Sequence, residues 1–153
     1  MSSDPKSIVE RFLANSTNID VVKEVVSPDA SYVSLNFENP ELKKIMPWTG
    51  GGKGPESFVR TFEAVGRYWK NERFEISEIF SSGENVAVFG VFQYKSNTAG
   101  KRTTSPFAIL AKVKDGQIVY FQFMEDTFAT ASTFRVGGSW KIHSDPDGPV
   151  FDI

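Results

Sequence analysis

The sequence predicts an α+β fold in which a cone-shaped, curved antiparallel sheet wraps around one long helix preceded by two short ones. Apolar residues first recur at helical spacing, in three segments that all lie before residue 71. Beyond that point the period drops to two and persists through a run of strand-like segments, which is the pattern of a meander. One of these segments, Val86 to Tyr94, is apolar on both faces, with Val86, Val88 and Phe92 against Ala87, Phe89 and Val91. Both sides of the sheet therefore need cover, more than three helices supply. The sheet is expected to curl over the helices and to meet a second copy with its outer face.

Taken in order, Asp4 before Pro5 reads as an N-cap with proline at the first helical position, and Ile8, Val9, Phe12 and Leu13 share one face. Asn15 to Asn18 ends that helix. A second runs from Ile19 to Val26 and stops at Ser27-Pro28, and Ala30 to Asn36 reads as a strand. Phe37 to Gly54, with Pro47 and four glycines, is expected to be a long loop. Gly54-Pro55 opens the long helix, whose Phe58, Val59, Phe62, Val65 and Trp69 form an amphipathic face ending near Lys70. Phe74, Ile76 and Phe80 then alternate with polar neighbours, and Gly83-Glu84-Asn85 turns the chain into Val86 to Tyr94. Arg102 to Val113 is the next strand, where Pro106 implies an edge or a bulge, and Asp115-Gly116 makes a tight hairpin into Gln117 to Asp126. No linker or repeat divides the 153 residues, so one domain is expected, with a core over about 5–134 and a C-terminal extension over 135–153.

Composition removes whole classes of chemistry. Lys plus Arg number 17 against 19 Asp plus Glu, a net charge of -2 without the basic excess that nucleic-acid binding requires. There is no Cys and a single His, so thiolate chemistry and a multi-histidine metal site are excluded, and no metal or organic cofactor is expected. Met1 to Arg11 has no apolar signal region and no run of about 18 apolar residues occurs, so no membrane partner is expected and a cytoplasmic location is the default. The run Gly50-Gly51-Gly52-Lys53-Gly54 fails as a phosphate loop, because Pro47 stands at its first glycine position and Gly54 where a hydroxyl should hold magnesium. Asp145-Pro146-Asp147-Gly148 lacks the further ligands of a calcium loop, and Gly137-Gly138-Ser139 is no nucleophile elbow.

Two short helices, a strand, a loop, a long helix and a curved meander is an order that resembles the nuclear transport factor 2-like superfamily (cystatin-like cones), in particular its SnoaL-like domains. Ser27-Pro28-Asp29-Ala30, Pro47-Trp48, Gly54-Pro55-Glu56 and Asp115-Gly116-Gln117-Ile118-Val119 leading to Glu125-Asp126-Thr127 carry the likeness, which spans most of the chain. The resemblance implies a cone with an apolar pocket, frequently dimeric through its sheet. Ketosteroid isomerase, another member, needs a tyrosine, a carboxylate base and a neutral acid; alignment places these at Phe12, near Ser34 and near Ala108, all without the required chemistry. In SnoaL-like cyclases an acid near the end of the last long strand works as acid/base.

That implication draws attention to Asp126, which alternation places with Ile118, Tyr120, Gln122 and Met124, while Val119, Phe121, Phe123 and Glu125 share the other face. Asp126 has two readings: acid/base in the pocket, or N-cap of the segment Phe128 to Phe134. Phe12, Tyr32, Trp48, Phe58, Phe62, Gln122 and Met124 are the candidate pocket lining, with core packing as the alternative for each aromatic. Tyr32 or Gln122 would position an oxygen. His143 lies in the tail, on the opposite side from Trp140 and Ile142, and reads as a surface residue. Two functions stay open: a cofactor-free cyclase, isomerase or dehydratase acting on a small apolar or aromatic molecule, or a homodimeric module that binds such a ligand without turnover.

Overall fold

A computed structural model describes residues 4–153. Helices α1 (Pro5–Ala14) and α2 (Ile19–Val25) precede strand β1 (Val26–Ser34). A short helix α3 (Pro40–Ile45), strand β2 (Gly50–Lys53) and the long helix α4 (Gly54–Tyr68) follow. Strands β3 (Trp69–Ser82), β4 (Asn85–Ser96), β5 (Arg102–Lys114) and β6 (Gln117–Glu125) form the meander, followed by helix α5 (Thr127–Ser132) and a small hairpin, β7 (Lys141–Ile142) with β8 (Phe151–Asp152).

Local chemistry explains most boundaries. Asp4 caps α1 by accepting from the Ser7 amide at 3.1 Å, Asn18 caps α2, and proline opens α1, α3 and α4. Asp115 and Gly116 both have positive φ (52° and 78°), the requirement of a two-residue hairpin turn that continues the strand twist.

Six strands form one sheet in the order β2-β1-β6-β5-β4-β3. Every pairing is antiparallel except β1 with β6, which run parallel, so the sheet is mixed rather than wholly antiparallel. The reason is topological: β1 enters from the helices and lies beside the last strand of the meander. The segment expected to be a loop over 37–54 instead holds α3 and β2, because Gly50–Lys53 pairs with Ser31–Ser34 and its glycines let the chain run close beside β1. Pro106 lies in an interior strand, yet β6 ends at Glu125 opposite Phe107, so the proline occupies the first position beyond that ladder and its missing N–H removes no bond there. A bulge between Ile76 and Glu78 reverses the parity of β3, sending Ile79 inward and Phe80 to the outer face beside Phe89.

Helices α1, α2 and α4 cover one face of the sheet, the concave one, and the core lies between them. At its centre Phe12 is fully buried and meets the rings of Phe58, Phe62 and Phe121 edge-on at 5.1–5.6 Å. Gly90 on β4 is obligatory: a Cβ there would stand 2.2 Å from the Glu75 carbonyl oxygen and 2.5 Å from the Phe107 ring. Among the described residues no helix is long and apolar enough to cross a membrane.

Candidate functional site

The inner faces of β1, β4 and β6 converge at one end of the cone on Tyr32, Ser34, Tyr94, Phe123 and Glu125, and Trp48, Thr61, Phe62 and Val65 close the space from the helix side. The cavity between them is small, about 20 Å³, the scale of a single water molecule. A larger chamber of about 230 Å³ adjoins it, opening past Leu13, Thr17, Asn71 and Phe74, and the two share Phe62, Val65 and Tyr94 as their common wall.

Glu125 is the chemical centre. As a residue it is partly exposed, but its Oε2 is fully enclosed and has no hydrogen-bond partner. Burial pushes its pKa up from 4.5 to about 7; the Thr130 hydroxyl pulls the other way, and the charge of neighbouring Asp126 raises it further. Tyr32 and Tyr94 are held above the ordinary phenol range, first by burial and then by the nearby Glu125 charge, so both remain neutral donors at any physiological pH. Asn36, two residues beyond β1, also buries both polar atoms of its side-chain amide without a partner. Leu35 before it adopts φ +67°, which ends the strand and sets off Asn36. A carboxyl group near its midpoint at neutral pH with two neutral phenols can exchange a proton with a ligand oxygen or carbon and hold the charge that develops.

Of the candidate lining residues, Tyr32, Trp48 and Phe62 stand in the wall of this cavity. Phe12 and Phe58 pack behind Tyr32 and Phe62 as core. The face of β6 expected to look into the pocket looks outward: Met124 is half exposed, and Gln122 accepts a hydrogen bond from the Tyr120 hydroxyl at 3.0 Å on that outer side. The helices pack against the opposite face, the one bearing Phe121, Phe123 and Glu125. Asp126 is exposed and its Oδ1 accepts from the Ala129 amide at 3.1 Å, so of its two readings the geometry has the N-cap of α5. Ala108 likewise falls on the outer side of β5, and its inward neighbours Phe107 and Ile109 carry no acid either. His143 is exposed in the tail.

Glu125 and Tyr94 were not among the candidates that the sequence offered. The available signal was composition: Phe121 and Phe123 make the Glu125 face the more apolar one, hence the more buried. Among the described residues there is no group of three or more His, Asp or Glu side chains able to hold a metal ion.

Comparison with known proteins agrees with this architecture. A chain from Burkholderia thailandensis described as an NTF2-like protein superposes with a TM-score of 0.73 at 21% identity, covering 86% of this chain and 97% of its own. Two fungal proteins are nearer in sequence. Patulin synthesis protein F of Aspergillus clavatus is 44% identical over 95% of this chain and 76% of its own length. Patulin biosynthesis cluster protein F of Penicillium expansum is 41% identical over 94% and 75%. The family model for the SnoaL-like domain matches residues 9–121, from the first helix into β6, and the chain belongs to that family.

Proposed function

We propose that this protein is an acid–base catalyst of small-molecule synthesis, acting on a compact, oxygenated, largely apolar substrate, with Glu125 as the group that takes and returns the proton. The observation that carries the reading is the Glu125 carboxyl, whose Oε2 is enclosed without a hydrogen-bond partner and whose pKa is raised to about 7, in one cavity with two neutral tyrosines. A substrate lying in the adjoining chamber and reaching past Tyr94, which lines both spaces, into the small cavity would set one oxygen against Tyr94 or Tyr32 and present an acidic C–H or a leaving hydroxyl to Glu125. The ionised carboxylate removes the proton, and the resulting neutral acid redelivers it at another atom, which is the requirement of an isomerisation, cyclisation or dehydration. The chamber, at about 230 Å³, is below the ~300–1,000 Å³ of drug-sized sites and suits a small substrate. Sequence likeness to two proteins named for patulin synthesis supports small-molecule synthesis as the setting.

The competing reading is a module that binds without turnover, favoured by the volume of only about 20 Å³ at the carboxyl itself. Deuterium incorporation from D2O, followed by NMR across a panel of cyclic enones, hydroxyketones and lactones, separates the two. The wild type should accelerate exchange or isomerisation of at least one compound, and Glu125→Gln should abolish it. Binding without exchange in the wild type would sink the catalytic reading.

We also propose a homodimer through the outer sheet face. Phe80, Phe89, Leu110 and Met124 are each 39–55% exposed there, and Phe89, Ala108 and Met124 stand in register across three strands.

A further inference from the structure

We propose that the protein carries a second binding site, independent of Glu125, that takes a flat aromatic carboxylate. It lies in the groove between α3, α5 and the segment 135–140, and encloses about 520 Å³, in the range of ligand sites. None of its lining residues lines the Glu125 cavity or the adjoining chamber.

Its walls are apolar on two sides. Leu42 and Ile45 of α3 form one, and Phe128 with Trp140 forms the other, their rings edge-to-face at 5.8 Å. Phe128 and Trp140 remain 55% and 52% exposed, so each leaves ring surface free for a third flat group. Arg135 supplies the charge. Its guanidinium stands 5.9 Å from the Trp140 ring centre and donates one hydrogen bond, to the Gly138 carbonyl oxygen at 3.2 Å. None of the six ion pairs among the described residues uses it, although the side chain is half-buried. A guanidinium has five donors in a planar fork that matches a carboxylate, so most of its capacity is unspent. Glu41, the acid at the rim, is paired with Lys44 at 3.1 Å, which offsets part of its charge toward an incoming anion.

The combination selects the ligand class. A neutral hydrocarbon would leave the guanidinium unmatched, and a small inorganic anion would leave the aromatic and aliphatic walls bare. A flat ring bearing a carboxylate fills the slot and meets the fork at its end.

Calorimetric titration of the full chain with 1-naphthoate and with its neutral analogue 1-naphthamide tests this. The acid should bind more tightly than the amide by about tenfold or more, the scale of one charge-assisted pair. Arg135→Gln should reduce the acid to the level of the amide with the melting temperature unchanged, and Arg135→Lys should recover part of the difference. Phe128→Ala should weaken both probes. Glu125→Gln and Phe62→Trp, which alter only the inner site, should leave both affinities as they are. Equal affinity for the two probes, binding of neither, or loss of binding in the inner-site variants would overturn the proposal. So would a change in sedimentation on Trp140→Ser, which would assign the groove to a second copy of the chain.

Discussion

Glu125 and Asp126 are chain neighbours of nearly identical chemistry whose carboxyl groups serve opposite environments. The first ends β6 with Oε2 enclosed near Tyr32 and Tyr94, and the second caps α5 in solvent. Strand alternation separates them: one residue further along a strand is the other face of the sheet. The same pair gives each residue a different expected response to substitution.

Glu125 makes stability depend on pH. Its folded pKa of about 7 lies above the ordinary 4.5, so the folded state holds the proton more tightly than the unfolded one. Stability is full below about pH 4.5, falls as pH rises toward 7, and then levels, a loss on the order of 3 kcal/mol. Glu125→Gln should abolish that fall and melt higher than the wild type at pH 8. Chemical denaturation at pH 5 and pH 8 checks it; a wild type more stable at pH 8 than its glutamine variant contradicts the enclosed carboxylate.

Asp126 should behave as a cap. Asp126→Ala should cost about 1 kcal/mol with any ligand affinity unchanged, while Asp126→Asn, itself a good cap, should cost a few tenths. Thermal melts of the three proteins decide this, and unchanged stability in the alanine variant would remove the capping role.

The outer face predicts association. Phe89→Glu or Leu110→Glu places a charge in the middle of the exposed apolar strip and should convert a dimer to a monomer with the fold intact, because both side chains are 39–47% exposed already. Sedimentation velocity with circular dichroism reads both properties; a wild type that is monomeric at tens of micromolar, roughly the range of weak specific association, would refute the interface.

The end of α5 is tied to the core by Trp69. Its indole Nε1 donates to the Thr133 hydroxyl at 2.8 Å, both residues being buried, and the Thr133 carbonyl accepts from Ser96 at 2.7 Å. Thr133→Val keeps the volume and leaves the indole N–H without a partner, which should cost about 1–3 kcal/mol in urea unfolding. A variant as stable as the wild type would show that the bond contributes nothing net.

Gly90→Ala should be among the more damaging single changes. Its Cβ would collide with the Glu75 carbonyl of the neighbouring strand and with the Phe107 ring, and overpacking of this kind costs about 1–3 kcal/mol or more. A melting temperature within a degree of the wild type would show that β3 gives way freely.

Much of the fold was legible because its signals are local. The cap at Asp4, the prolines opening α1 and α4, the Asp115-Gly116 turn and the switch from helical to alternating periodicity all act within a few residues, and the elements follow them. The sequence also confined the β6 acids to two adjacent positions and supplied Tyr32, Trp48 and Phe62 to the cavity wall. What depends on distant pairing was not legible. Gly50–Lys53 has no strand signature of its own and becomes β2 only against β1, and the bulge at Ile76 moves Phe80 to the opposite face. The decisive case is β6. Alternation states which residues share a face but is symmetric between the two faces; composition tilts the choice through Phe121 and Phe123, and the packing of α1, α2 and α4 against that face makes it. That choice enclosed Glu125 rather than Asp126, raised its pKa by removing water from its carboxyl group, and so put the candidate acid one residue away from where the sequence pointed.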